Sequence, residues 1–241
     1  MVQEGTGLDR IAPAMRKPLE DYARLVKELG GENAKALTLF GAVVTGSFDA
    51  GRHTAKSVLI VDRVDLAVLR RLAERGVQLG KARIAAPLIM TPDYIKASLD
   101  TFPLEFVEIK QQHVTVFGDD YFEDLSFKDN HIRLQCEREL KVILISLRQG
   151  LLAAAGREKF IGALEVDVGE GLMRTLRGLL WLKGQKEGKP AVEVLSEIEK
   201  IADRKLTGVR TALDPGAHHG WDEFESLYRD VEALGEIANA W

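Results

Sequence analysis

Two short apolar runs, separated by a glycine-bounded turn and a polar loop, constrain the fold most. Leu37-Thr38-Leu39-Phe40 ends at Gly41, Ala42-Val43-Val44-Thr45-Gly46 follows, and after the loop the chain resumes as Ser57-Val58-Leu59-Ile60-Val61. Apolar stretches of this length bounded by glycines read as two buried strands. At Gly41 a residue without Cβ lets the backbone turn tightly or lets a ligand come close.

The flanking sequence extends this start. Residues 8–29 carry Leu19, Tyr22, Leu25, Val26 and Leu29 at helical spacing, with Pro18 near the beginning and Gly30-Gly31 as the stop. The first strand is expected from about Ala36. After the second, Asp62 with Asp65 three residues on predicts a helix cap, Leu66, Leu69, Leu72 and Ala73 a helix, and Gly76 its end. Residues 84–90 predict a short strand, and Thr91-Pro92 predicts a capped helix. Residues 103–109 read as a third buried strand, residues 114–117 as a short edge strand, and Gly118-Asp119-Asp120 as a turn. Strands alternating with helices imply a mixed sheet with helical cover, α+β or α/β in class.

From Asn130 the period is helical throughout. Four stripes begin at Ile132, Ile161, Val194 and Phe224, and each needs a partner to bury it, which predicts an antiparallel helical bundle. Polar connectors fall at residues 183–190 and 207–220. The boundary lies near residues 127–130, giving an α/β domain at 1–128 and a bundle domain at 129–241.

Composition closes off other classes. Net charge is −4 and pI about 5.8, so no general basic footprint points to nucleic acid or to an anionic membrane. Cys136 is the single cysteine, which excludes an internal disulfide and fits a cytoplasmic setting. No charged-then-apolar leader opens the sequence, and no apolar run reaches the ~18–20 residues of a membrane span.

The pattern Leu39-Phe40-Gly41 … Gly46, then an apolar strand, resembles the L-F-G-S-x-x-x-G … D-x-D motif of the nucleotidyltransferase superfamily, the DNA polymerase β-like fold. Val116-Phe117-Gly118-Asp119-Asp120 is similar to its V-L-Y-G-E-D segment. The helical half resembles the bundle of antibiotic-type and HEPN-associated members. The resemblance implies phosphate binding at the glycine turn, by Gly41, Ala42, Gly46, Ser47, Lys56 and Ser57, with Mg²⁺ and an NTP as cofactors. In that family two carboxylates on the second strand and a third on a neighbouring strand hold two ions ~3.5–4 Å apart. Here the family serine falls on Ala42 and the D-x-D on Ala55-Lys56-Ser57, so both acids are missing. A one-residue shift supplies none. The third position is expected on the 103–109 strand, with Glu105 first and Glu108, on its opposite face, second. Glu105 is then the one candidate metal ligand, or else a structural ion pair with Lys56 or Arg83.

Other residues admit simpler readings. Asp49, Arg52 and His53 belong to the loop that should overhang the cleft, and are solvated by default. His218 and His219, near Asp214 and Asp222, lack metal-ligand spacing. Cys136 reads as a small buried hydrophobe and Glu137, Arg138, Glu139 and Lys141 as a solvated face with local ion pairs. Arg174, Arg177, Lys183, Lys186 and Lys189 form a modest basic face, and Trp181, Trp221 and Trp241 should pack in the bundle.

The reading is a nucleotidyltransferase-like, catalytically degenerate protein (a pseudoenzyme) that binds a nucleotide or a partner in the cleft. One alternative is an active metal-dependent nucleotidyltransferase whose acids come from Glu105, Glu108, Asp49 or Asp62. Another is a structural interaction protein that pairs with a partner or with itself.

Overall fold

The computed structural model describes residues 8–45, 48–51, 53–214 and 216–241. The chain divides into two compact units, one of residues Met1–Leu99 and Glu108–Ser126, the other of Asp100–Val107 and Phe127–Trp241. Among the described residues no helix is long and apolar enough to cross a membrane.

In the first unit, α1 (Pro13–Gly30) buries Met15, Leu19, Tyr22, Ala23 and Val26, one face at spacings of three and four. Pro13, rather than Pro18, takes the helix start; Pro18 lies inside α1, where its ring leaves the Ala14 carbonyl without the usual N–H. The chain then enters β1 (Ala34–Phe40), which pairs antiparallel with β2 (Lys56–Val61), Leu37 opposite Leu59 and Phe40 opposite Lys56. Asp65, not Asp62, caps α2 (Leu66–Ala73), accepting from the Ala67 amide at 2.8 Å. Asp62 instead meets Lys35 Nζ at 2.8 Å. Gly76 does not end a helix but opens α3 (Gly76–Lys81). β3 is only Leu88–Met90 and runs parallel to β2; Ile84 lies outside it and bridges to Ala55. Thr91 caps α4 (Pro92–Ser98), as its hydroxyl and the following proline predict.

The third buried strand does not exist. Residues 103–111 form α5 (Pro103–Gln111). Leu104, Phe106, Val107 and Ile109 are all buried, so apolar residues point both ways from the axis and imitate a strand buried on both faces. Periodicity cannot separate the two over so short a run, whereas Pro103 at the start suits a helix. β4 (His113–Phe117) follows and pairs antiparallel with β1, giving the order β3-β2-β1-β4, with β4 at an edge as predicted. The core between α1 and the sheet joins Leu19, Tyr22 and Val26 to Leu37, Leu39, Leu59 and Val61.

The second unit is helical: α6 (Asp129–Ala154), α7 (Glu158–Leu182), α8 (Ala191–Ile201), α9 (Thr207–Ala212) and α10 (Trp221–Ala240). The four predicted stripes become α6, α7, α8 and α10, whose Ile132, Leu140, Leu172, Leu176, Ile198, Leu227 and Leu234 share one core with Leu104 and Val107. The short α9, expected to be connector, is fixed at its N-terminus by Asp230 of α10, which accepts from the Gly208 amide at 2.8 Å and the Val209 amide at 3.2 Å. Buried Glu199 accepts from the Leu206 amide, Lys205 and Arg210. Cys136 is fully buried, its Sγ 3.7 Å from the Thr175 carbonyl, and burial pushes its thiol up to about 12. Trp181 packs edge-on to Phe127 in the core, whereas Trp221 does not join it: it is 52% exposed and stacks on Phe224.

Gly118, the first residue after β4, has φ +80°, and a Cβ there would stand 1.9 Å from the Lys35 carbonyl oxygen. Gly118→Ala should therefore cost about 2 kcal/mol or more in chemical denaturation. Gly80→Ala, in α3 with open space around it, should be neutral or slightly stabilising.

Candidate functional site

The turn after β1 is built as its glycine predicts. Gly41 takes φ +75° and begins a short 3-10 turn through Val44. Its amide donates to the Gln112 carbonyl at 3.2 Å, so the turn is tied to the segment leading into β4 and this N–H is committed. The carbonyl of Ala42, the residue matched above to the family's serine, accepts from both the Thr45 amide and the Thr45 hydroxyl. Gly46, Ser47 and Arg52 lie outside the described residues. The remaining loop satisfies itself. Asp49 Oδ1 accepts from the Gly51 amide at 2.8 Å, the Asp49 amide donates to His53 Nδ1 at 2.9 Å, and Arg83 donates to the Gly51 carbonyl at 3.0 Å.

Alternation along β2 decides which side chains are available. Ser57, Leu59 and Val61 share one face with Ala55, and that face lies in the α1 core. Ser57 is 2% exposed and its hydroxyl is 3.1 Å from that of Tyr22, whose phenol burial pushes up to about 12. The positions first matched to D-x-D, Ala55 and Ser57, thus point into the core, where an ionised acid without a partner would be costly. Lys56 leaves from the other face, is exposed, and has no ion-pair partner among the described residues.

The strands beside β2 supply no acid. β3 sets Leu88 opposite Val58, Ile89 opposite Leu59 and Met90 opposite Ile60. β1, β2, β3 and β4 together contain no Asp or Glu. Among the described residues no group of three or more His, Cys, Asp and Glu could hold a metal ion.

No protein-family model matches the sequence, and no curated protein matches it. Among solved structures, the chain is similar to the spectinomycin adenyltransferase AAD(9) from Enterococcus faecialis, solved with ATP and spectinomycin. The identity is 10%, the TM-score 0.58, and the match covers 92% of this chain and 98% of that one. The fold is nucleotidyltransferase-like.

On this nucleotidyltransferase-like frame the expected third carboxylate sits on a helix rather than a strand. Glu105, in α5, bonds Arg174 at 2.8 Å and Gln135 Nε2 at 2.8 Å, while Gln135 Oε1 accepts from the Leu104 amide. Its ion-pair partner is thus Arg174, not Lys56 or Arg83. Glu108 is also on α5, one turn later, and falls in the first unit. His218 and His219 do not act together: His218 meets Glu223 at 3.3 Å and His219 meets Glu165 at 2.9 Å. The basic face is dispersed. Arg174 holds Glu105, Arg177 donates to the Lys189 carbonyl, Lys183 sits over Trp241 and Lys186 over Trp181.

One pair escaped the sequence reading. His113 Nε2 lies 2.8 Å from Asp120 Oδ2 and Nδ1 3.2 Å from the Lys110 carbonyl, so both ring nitrogens face oxygens. Asp120 also accepts from the Phe122 and Glu123 amides. An aspartate in a glycine turn, seven residues after a histidine at a strand start, was the available signal. Burial pushes the Asp120 carboxyl up, but the Phe122 amide and His113 outweigh it and hold it below its ordinary value. A lowered folded-state value contributes stability above the ordinary carboxylate range, lost as pH falls through the lowered one. Denaturant titrations from about pH 7 to about pH 3 should show this loss in the wild type, and a shallower dependence in Asp120→Asn.

Proposed function

We propose that this chain is a nucleotide-binding module on a nucleotidyltransferase-like fold, without metal-dependent nucleotidyl transfer. The observation that carries this reading is a sheet without a single carboxylate, at whose β2 mouth an exposed Lys56, with no ion-pair partner among the described residues, stands across from Phe40 and next to the Gly41 turn in register. Mg²⁺ is held by carboxylates together with substrate phosphates, and paired ions need several such acids. The residues of this sheet do not fit paired Mg²⁺. A lysine ammonium suits a phosphate directly as a point charge.

The AAD(9) neighbour was solved with ATP, which supports a nucleoside triphosphate as the ligand here. The turn at Gly41 and Ala42 would face its phosphates, with Lys56 supplying charge. Ser57, turned inward onto Tyr22, would hold the strand rather than the ligand.

Calorimetric titration with ATP, with and without Mg²⁺, tests this reading. ATP should bind without Mg²⁺, and Lys56→Ala should weaken it about tenfold, the worth of one charge-assisted contact. Binding that requires Mg²⁺, with release of pyrophosphate, would favour the active enzyme. No binding to any nucleoside triphosphate would favour the interaction protein.

A further inference from the structure

The stretch leading into α10 is held against α7 by a buried acid–imidazole pair. His219 Nδ1 is 2.9 Å from Glu165 Oε2, and Nε2 is 3.2 Å from the Asp214 carbonyl oxygen. Glu165 is 1% exposed, and its second oxygen, Oε1, has no hydrogen-bond partner among the described residues. Gly162, one turn before Glu165, lies beneath the imidazole's own backbone: a Cβ there would stand 2.8 Å from His219 Cβ. α7 thus presents a small residue and an acid on one face, and His219 occupies both.

Hydrogen bonding limits how many protons this arrangement holds. A carbonyl oxygen only accepts, so both contacts of the ring are hydrogen bonds only while Nε2 carries a hydrogen toward Asp214. Nδ1 then either donates to an ionised Glu165 or accepts from a protonated one. In either form the pair holds one further proton and is neutral as a whole. Without that proton the imidazole has one hydrogen for two oxygens: it either turns a lone pair toward the ionised carboxylate or gives up the Asp214 carbonyl, so one of its two bonds is lost and the pair carries a net negative charge.

We propose that Glu165 and His219 form a proton-operated latch, which holds residues 216–220 on α7 most firmly while the shared proton is present and loosens them when it leaves. His219 is one wall of an open groove of about 680 Å³ whose other walls, Lys159, Val166 and Asp167 among them, belong to α7. Gly220, directly after His219, is the residue that caps α10. Release therefore alters the groove and the start of α10 together.

The surrounding charges are Glu223 on α10 and its partner His218 on the same stretch, with Glu158, Lys159 and Asp167 on α7 along the groove. Burial pushes the Glu165 carboxyl up, against the lowering effect of His219, and Glu223 adds to the upward push. A raised folded-state value means docking is fully supported below the ordinary carboxylate range and weakens as pH rises through the raised value.

Amide hydrogen exchange of residues 216–220, expressed as protection factors from about pH 5 to about pH 9, tests the latch, with the α7 amides as an internal reference. Protection should fall with rising pH, about tenfold for each unit by which docking raises the pair's proton affinity. Glu165→Gln offers Nδ1 a non-titrating N–H donor, so it should keep the stretch docked and abolish the dependence. Glu223→Gln should leave the dependence in place. The latch is refuted if wild-type protection is flat, if Glu165→Gln keeps the wild-type slope, or if Glu223→Gln removes it. Should Glu165→Gln fail to fold, the wild-type series decides alone.

Discussion

β1 is the strand on which the first unit hangs. It is hydrogen-bonded along both edges, to β2 and β4, and Ala36, Leu37, Thr38 and Leu39 are completely buried. A strand in that position cannot carry a charge on either face without a partner. Its buried polar side chain, Thr38, lies 3.1 Å from the Thr115 hydroxyl, and Lys35 near its start is paired with Asp62. The same condition extends to β2, where only Lys56 reaches solvent. A sheet so thoroughly apolar is a sturdy scaffold and a poor metal cage. The fold and the absence of Asp and Glu from its strands are therefore two aspects of one packing arrangement.

The helical unit handles buried acids in three ways. Glu199 is saturated by the Leu206 amide, Lys205 and Arg210, which outweigh burial and hold its carboxyl low. Asp230 fixes the start of α9 through two amides, yet burial prevails and its carboxyl lies above the ordinary value. Among the described residues Glu165 has one partner, a histidine, and one oxygen without a hydrogen bond. The first two staple neighbouring segments together. The third is the one whose bonding depends on a proton that both partners can hold.

Much of this was legible in the sequence. β1, the Gly41 turn and β2 follow from apolar runs punctuated by glycine, and the long bundle helices from stripes at helical spacing. α5 was misread because Leu104, Phe106, Val107 and Ile109 satisfy both periods, and only tertiary contacts choose between them. That error moved Glu105 onto an imagined strand. In the candidate site, the lack of Asp and Glu on β1 and β2 could be read directly from the sequence. The inward turn of Ser57 could not, because a strand's face depends on what covers it, here Tyr22 of α1. Pairs such as His113 with Asp120 and His219 with Glu165 join residues whose meeting depends on turns and helix crossings, which leave little local trace.

The burial of Cys136 has a practical corollary. A thiol shielded on all sides, with its proton firmly held, presents almost no thiolate to alkylating agents or oxidants while α6 and α7 remain packed. The chain thereby carries its own sentinel: maleimide uptake at this single thiol would mark the moment the helical unit comes apart, with no engineered label required.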